Sequence, residues 1–332
     1  MLIFILKRLG VMLLTMFALT AIVFFLTNLE PNLIKLAKSD GNMRMTDEQT
    51  EQWLVNNGYR RPFLVRYGEW IGGVATGDFG HSVRYKKPVG ELVAERLGAT
   101  GILMFWVMLV MVPAALLVGV LAGMREGSRT DRSLSTFSIA TTATPEYVSG
   151  IILTVLLASL LKDFSAEMHA NYPWWSEGWH LNGSAASASG RAGPTIENFT
   201  LPVLTMALYG MGYIARMTRA SMTEVMTAQY IRTARLKGVR FRTVVLRHAL
   251  RNALIAPFTV IMLQFPWLLT GVVIVERMFN YKGFGDALVE SAETNDIQLL
   301  LACSLVSVAV VLLTQLISDI GYAVLNPRIR VR

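Results

Sequence analysis

Residues 216–251 read RMTRASMTEVMTAQYIRTARLKGVRFRTVVLRHALR, and this stretch organises the rest of the chain. It holds nine Lys or Arg against one acidic residue, Glu224, and strongly apolar segments precede and follow it. A loop this basic between two membrane spans reads as a cytoplasmic surface. It also has internal order. Tyr230 to Lys237 makes about two helical turns, with Ile231, Ala234 and Leu236 set among Arg232, Arg235 and Lys237. Gly238 follows a basic last turn, the pattern of a helix that ends in a left-handed residue. Phe241, Val244, Val245 and Ala249 then share one face of a second helix, with Arg240, Arg247 and Arg251 off that face. Helix, glycine stop and helix predict a compact, rigid protrusion on which something docks. Contact with lipid phosphates would account for the charge but not for the punctuation.

Working outward, the 332 residues are 53% apolar and only 16% charged, with mean hydropathy +0.45. A soluble fold would have to bury more than its surface allows, so the chain is expected to be an all-α, multi-pass membrane protein. A helix needs about 20 mostly apolar residues to cross the hydrocarbon core, where every backbone polar group must be satisfied internally. Six segments meet this: 9–29, 97–124, 134–161, 200–215, 252–275 and 298–318. With the N-terminus inside, segments 1–8, 125–133, 216–251 and 320–332 carry 17 basic and 3 acidic residues, whereas the opposite side carries 14 and 18. This asymmetry puts both termini in the cytoplasm and argues against reading the net charge of +8 as a nucleic-acid surface. The apolar run after Lys7 and Arg8 is too long for a signal peptide and lacks a small-residue cleavage site, so it is expected to remain as a span.

Between the first two spans, residues 30–96 are expected to form helices along the outer membrane face. Thr46-Asp47-Glu48 has the form of a helix cap ahead of Trp53 and Leu54, and Phe63, Tyr67, Trp70 and Ile71 fall at helical spacing. The run Gly72 to Gly77 resembles a phosphate loop, but Asp78 and Phe79 stand where Lys and Ser or Thr are required. Gly119 and Gly123, four apart in the second span, predict close approach of another helix. In the third span a polar run, Ser135 to Thr144, precedes Pro145-Glu146-Tyr147. A carboxylate at the bilayer centre costs about 2.5–3.5 kcal/mol, so Glu146, with Tyr147, is a candidate for the wall of an aqueous pathway, the alternative being a position near the interface. In 162–199, Trp174, Trp175 and Trp179 suit an interfacial belt, and Gly183 to Gly193 reads as a flexible stretch. His169 and His180, with Glu167 and Glu177, fit no tight metal motif, and no metal site is expected. Asp286, Glu290, Glu293 and Asp296 read as a solvated acidic surface, or as contacts for a soluble partner. The single cysteine, Cys303, excludes an intrachain disulfide.

Hydrolytic chemistry is not written in the chain. There is no GxxxxGK[ST], HExxH, CxxC or GxSxG stretch, so no catalytic residue is assigned and no enzyme is expected. Transport driven by an ion gradient would need intramembrane ionisable groups, for which only Glu146 and Asp319 are available. A stand-alone carrier or channel is therefore the weaker reading.

Several quoted stretches carry a resemblance. These are Leu201-Pro202, Ala215 to Met222, Glu224-Val225, Tyr230 to Gly238 and His248 to Ala253, with Lys7-Arg8-Leu9, Gly77-Asp78-Phe79-Gly80, Pro145, Glu276, Phe279, Gly283-Phe284-Gly285 and Asn326 to Arg330 elsewhere. Together they resemble permease subunits of binding-protein-dependent ABC importers, in the B-type form of the dipeptide/oligopeptide permease family. Arg232-Thr233-Ala234 stands where the family's EAA motif would place Glu-Ala-Ala, and the spacing from Ala234 to Gly238 is kept. The chain departs from the family at Glu30 to Leu33, at Lys282 and at Asp296 to Gln298, all on the external side. The resemblance implies a type I importer permease fold in the bacterial inner membrane. It divides the chain into 1–29 with the first span, an external helical region 30–96, and a five-helix core 97–332 carrying a coupling loop at 216–251. It also implies that Tyr230, Ile231, Arg232, Thr233, Ala234, Arg235, Lys237 and Gly238 engage an ATPase. The expected partners are a second homologous permease, two ATPase subunits that bind ATP and Mg, and a periplasmic substrate-binding protein. Peptides are the leading cargo, with nickel, metal chelates, opines or oligosaccharides as alternatives.

Overall fold

The computed structural model describes residues 2–40, 44–171, 181, 183–189 and 193–325, and among these the regular secondary structure is helical. Trp174, Trp175, Trp179, Glu177, His180, parts of the Gly183 to Gly193 stretch, Asn326 to Arg330 and the side chains of His169 and Asp319 lie outside the described residues. The chain divides into two compact units, 1–100 with 282–316, and 101–281 with 317–330.

In the first unit, α1 (Leu2–Thr27) is followed by α2 (Glu30–Asp40), α3 (Asp47–Asn56) and α4 (Phe63–Ala75). The expected cap on α3 is present. Thr46 accepts from the Gln49 amide, and the Gln49 side chain accepts from the Thr46 amide. This reciprocal pair satisfies donors that a helix start leaves open. Rather than lying apart along the surface, α4 packs on α1. Tyr67 shares a 2.8 Å hydrogen bond with Thr20 and donates to the Phe17 carbonyl, and Phe24, Phe63, Tyr67 and Trp70 cluster edge to face and stacked. Phe17 lies ten residues, or about 15 Å, inward of the end of α1. The glycines that imitate a phosphate loop end α4, and Asp78 N–H bonds back to the Gly73 carbonyl.

Of the acidic residues expected to form a solvated surface beyond 282, Glu293 is exposed, but Asp286, Glu290 and Asp296 are not. Along α12 (Phe284–Glu293) and into α13 (Ile297–Leu325), Asp286 and Asp296 are each 1% exposed. Asp296 accepts from Ser82 Oγ at 2.5 Å, from the Arg84 amide and from the Leu299 amide. Glu290 accepts from the Tyr85 hydroxyl and pairs with Arg84, and Lys282 pairs with Asp286. Burial, with the Glu290 bond, pushes the Tyr85 hydroxyl up to about 12. These carboxylates are consumed internally, tying the segment after Gly80 to the start of α13.

The second unit is assembled around α8 (Ile196–Thr227), against which α6 (Arg129–Ala143), α7 (146–171) and α11 (Ile255–Met278) pack. Small residues permit the close approach. A Cβ added at Gly119 or Gly123, near the end of α5 (Val89–Gly123), would strike Thr218, Ala215, Arg219 or Met222 of α8. One at Gly212 would strike Ser138 and Thr141 of α6. The polar, small run 135–144 is therefore a packing face. The expected continuous span 134–161 is broken between α6 and α7. Thr144 is extended (ψ 122°) because the following Pro145 crowds the helical conformation, and a second helix restarts at Glu146.

Among the described residues four helices are long and apolar enough to cross a membrane, and a fifth is reached if Phe241–Ala253 and Ile255–Phe265, bent by 51°, form one span. The 32-residue α8 is not among them. It is covered by neighbouring helices, so positions that would otherwise face lipid carry Thr, Gly and Asn.

Candidate functional site

The basic loop is built outward from α8, which continues without a break from its apolar half to Thr227. The extended residue Ala228 turns the chain into α9 (Gln229–Leu236). At the end of α9 the Gly238 amide bonds to the Arg235 carbonyl at 3.0 Å and the Val239 amide to the Ala234 carbonyl at 3.2 Å. Gly238 itself sits at φ +73°. This is the paired 5→2 and 6→1 pattern of a left-handed helix stop, with Val239 meeting Ala234 in the same apolar cluster. Glycine takes that φ freely, whereas a β-branched residue is strained there by about 1–3 kcal/mol.

Beneath α9, Ile231 is fully buried and joins Met222, Val244, Val245, Ala249 and Ala253 in one apolar cluster. The second helix, α10 (Phe241–Ala253), presents the expected inner face, and a π turn over Val244–Ala249 shifts its register before the bend into α11. Two further bonds close the loop. Ser221 Oγ donates to the Ala253 carbonyl, and Asn252 Nδ2 donates to the Tyr230 hydroxyl at 2.9 Å. The Phe241 ring lies under two guanidinium groups, Arg125 at 5.3 Å and Arg235 at 5.9 Å.

One member of this site was not legible in the sequence. Asp131, 2% exposed near the start of α6, receives both Arg219 Nε at 2.5 Å and Nη2 at 2.8 Å, with further bonds from the Gly127 amide and Ser135. The Arg219 guanidinium holds the Asp131 carboxyl well below the usual carboxylate range, and the arginine's own value is raised in return. A bidentate pair with its remaining lone pairs satisfied is rigid. It fixes α6 to α8 about three turns before α9 begins. The partners are 88 residues apart, so no local pattern announces them.

The structure thus gathers Tyr230, Ile231, Arg232, Thr233, Ala234, Arg235, Lys237 and Gly238 on one short helix and its stop, but it splits their roles. Ile231, expected among the residues that engage an ATPase, is turned inward as the anchor, and Ala234 is half-buried beside it. The outward face is Gln229, Arg232, Thr233 and Leu236, at helical spacing, and Leu236 is 81% exposed. Glu146 is half-buried in the first turn of α7, where the helix N-terminus favours a carboxylate, and Tyr147 beside it is exposed. Among the described residues no group of three or more His, Cys, Asp or Glu is placed to hold a metal ion.

Residues 115–331, which include the whole loop, match the family described as the inner membrane component of binding-protein-dependent transport systems. The chain belongs to that family. It is 32% identical over 305 residues to the oligopeptide transport system permease protein AppB of Bacillus subtilis, covering 90% of this chain and 92% of the relative. Similarity of the same order links it to the oligopeptide transport system permease protein OppB of Mycobacterium tuberculosis (33% over 274 residues, 82% of each chain). The di/tripeptide transport system permease protein DppB of Pseudomonas aeruginosa is 32% identical over 334 residues, with 99% of each chain covered. As an inner-membrane transport component, the permease is a multi-pass helical protein of the type I importer fold.

Proposed function

We propose that this permease subunit forms part of the translocation pathway of an ATP-driven importer for di- and oligopeptides, and that α9 is its coupling helix. The cargo reading is supported by the peptide transport named for AppB, OppB and DppB, which this chain resembles over most of its length. The partners are a second homologous permease, two ATPase subunits that supply ATP and Mg chemistry, and a periplasmic binding protein. The loop and both termini face the cytoplasm. Six spans follow if α8 crosses as a protein-covered helix and α10 with α11 forms a single bent span.

The observation that carries the coupling role is the division of α9 into a buried anchor and a free face. Ile231 and the Gly238 stop hold the helix to α8 and α10, while Arg232, Thr233 and Leu236 are exposed, and Thr233 Oγ1 bonds only to the Gln229 carbonyl of the same helix among the described residues. An apolar contact ringed by cations suits an acidic-rimmed groove, in which Leu236 supplies desolvated packing and the arginines steer the encounter. Closure of the ATPase pair would shift α9, and the Asp131–Arg219 clamp would carry that shift into α6 and α8 as a rigid body. Glu146 and Tyr147, where α7 restarts, are proposed to border the pathway.

A Leu236→Cys variant of the assembled importer tests the docking directly. Its cysteine is expected to form a disulfide with a cysteine scanned along the ATPase surface, and ATP is expected to change the yield. No crosslink at any ATPase position would defeat the coupling assignment.

A further inference from the structure

The second unit holds a cavity of about 590 Å³ walled by α6, α8 and α11. Its polar and aromatic lining is Thr142 from α6, Tyr209, Tyr213 and Arg216 from α8, and Gln264 and Trp267 from α11. Gln264 is only 8% exposed, its amide makes no hydrogen bond among the described residues, and it lines the cavity. An amide this enclosed, but still reached through the open cavity, is placed to exchange water for a polar group of a passing molecule. Arg216 lies at one end over the Tyr213 ring at 6.0 Å, and no carboxylate among the described residues pairs with it. Tyr209 and Trp267, in the same lining, stack at 4.8 Å.

We propose that this cavity is a transit subsite for a short extended peptide, with Gln264 reading a peptide bond and Arg216 taking the C-terminal carboxylate. The inference rests on the peptide-importer reading and names where in this subunit the cargo is held. A primary amide offers one donor and one acceptor side by side, the complement of a peptide group. A guanidinium matches a carboxylate through two parallel bonds. Tyr209, Tyr213 and Arg216 follow one face of α8 over about 10 Å, the length of roughly three extended residues. The aromatic pair offers a side-chain platform without choosing among side chains, which suits a path that must release what it binds. A lipid could offer a phosphate to Arg216, but its acyl chains would leave the Gln264 amide and Thr142 unused, which is why the cargo is the favoured occupant.

The experiment uses the assembled importer in proteoliposomes and a tripeptide with a central benzoylphenylalanine, as the free acid and as the C-terminal amide. Gln264→Leu, which keeps side-chain volume, is expected to lower uptake of both forms about tenfold, the lower end for a lost bond between polar partners. Arg216→Gln is expected to lower uptake of the acid but not of the amide, so that the acid-to-amide ratio falls about tenfold. Any selection by the binding protein is common to wild type and variant and cancels in that comparison. Illumination of the wild-type importer is expected to place the label within 139–143, 209–216 or 263–267, a readout that needs no variant to assemble. Unchanged uptake in Gln264→Leu, an unchanged ratio in Arg216→Gln, or label confined to lipid or to the second permease would overturn the subsite while leaving peptide import intact. A wild-type importer that hydrolyses ATP but takes up neither tripeptide strikes the peptide reading itself, and the subsite falls with it.

Discussion

The basic loop and the 30–96 region carry similar numbers of cations and spend them in opposite ways. In 30–96, Arg60 is clamped by Glu30 and Glu51, Arg61 by Glu69 in a two-bond pair, and Lys86 by Asp40. In the loop, Arg219 has Asp131, but Arg232, Lys237, Arg240, Arg242, Arg247 and Arg251 are exposed and no carboxylate among the described residues pairs with them. The first arrangement completes a surface, whereas the second leaves a field for something else to complete. Exposed ion pairs add little stability and exposed lone cations cost little, so the difference reflects what each surface meets rather than how each unit holds together.

The comparison breaks most sharply at Gly238. Gly238→Val is expected to drive uptake by the reconstituted importer to background while membrane insertion persists, and Gly238→Asn, which tolerates a left-handed φ, is expected to restore most of it. Wild-type uptake in the valine variant would remove α9 from the coupling path. Next comes Arg219, the loop cation paired with a carboxylate. Asp131→Asn leaves the Arg219 charge half-buried and is expected to cost about 3 kcal/mol, read as a lowered thermal midpoint of the purified subunit. Because the Asp131 carboxyl is held below its ordinary value, its contribution is complete above about pH 4 and is lost only as pH falls further. The gap between wild type and variant should therefore stay level from pH 5 to 8, and a gap that closes within that window would refute the assignment.

Charge reversal at unpaired positions is a smaller perturbation. Arg232→Glu is expected to weaken ATPase association about tenfold in pull-down titrations, more at low salt than at high. The smallest effect belongs to the paired surface. Arg61→Gln removes two hydrogen bonds to Glu69 but is expected to change stability by less than about 1 kcal/mol, because both partners are half-exposed. Should Arg61→Gln prove as costly as Asp131→Asn, the distinction between completed and waiting surfaces would fail.

The sequence by itself determined whatever repeats within a turn or two of helix. The cap at Thr46, the Tyr67 and Trp70 face, the stop at Gly238 and the inner face Val244, Val245 and Ala249 were all legible, because side chains three or four apart must share a face. Gly119 and Gly123 announced a close contact, though not its partner on α8. Tertiary structure decided the rest. Only packing could turn Ile231 inward and Leu236 outward, since both are apolar residues of one short helix. Only the fold could set Asp131 against Arg219, bury Asp286 and Asp296, and open the Gln264 amide onto a cavity. Those relations join residues far apart in the chain, and their energies depend on burial, which local periodicity does not encode.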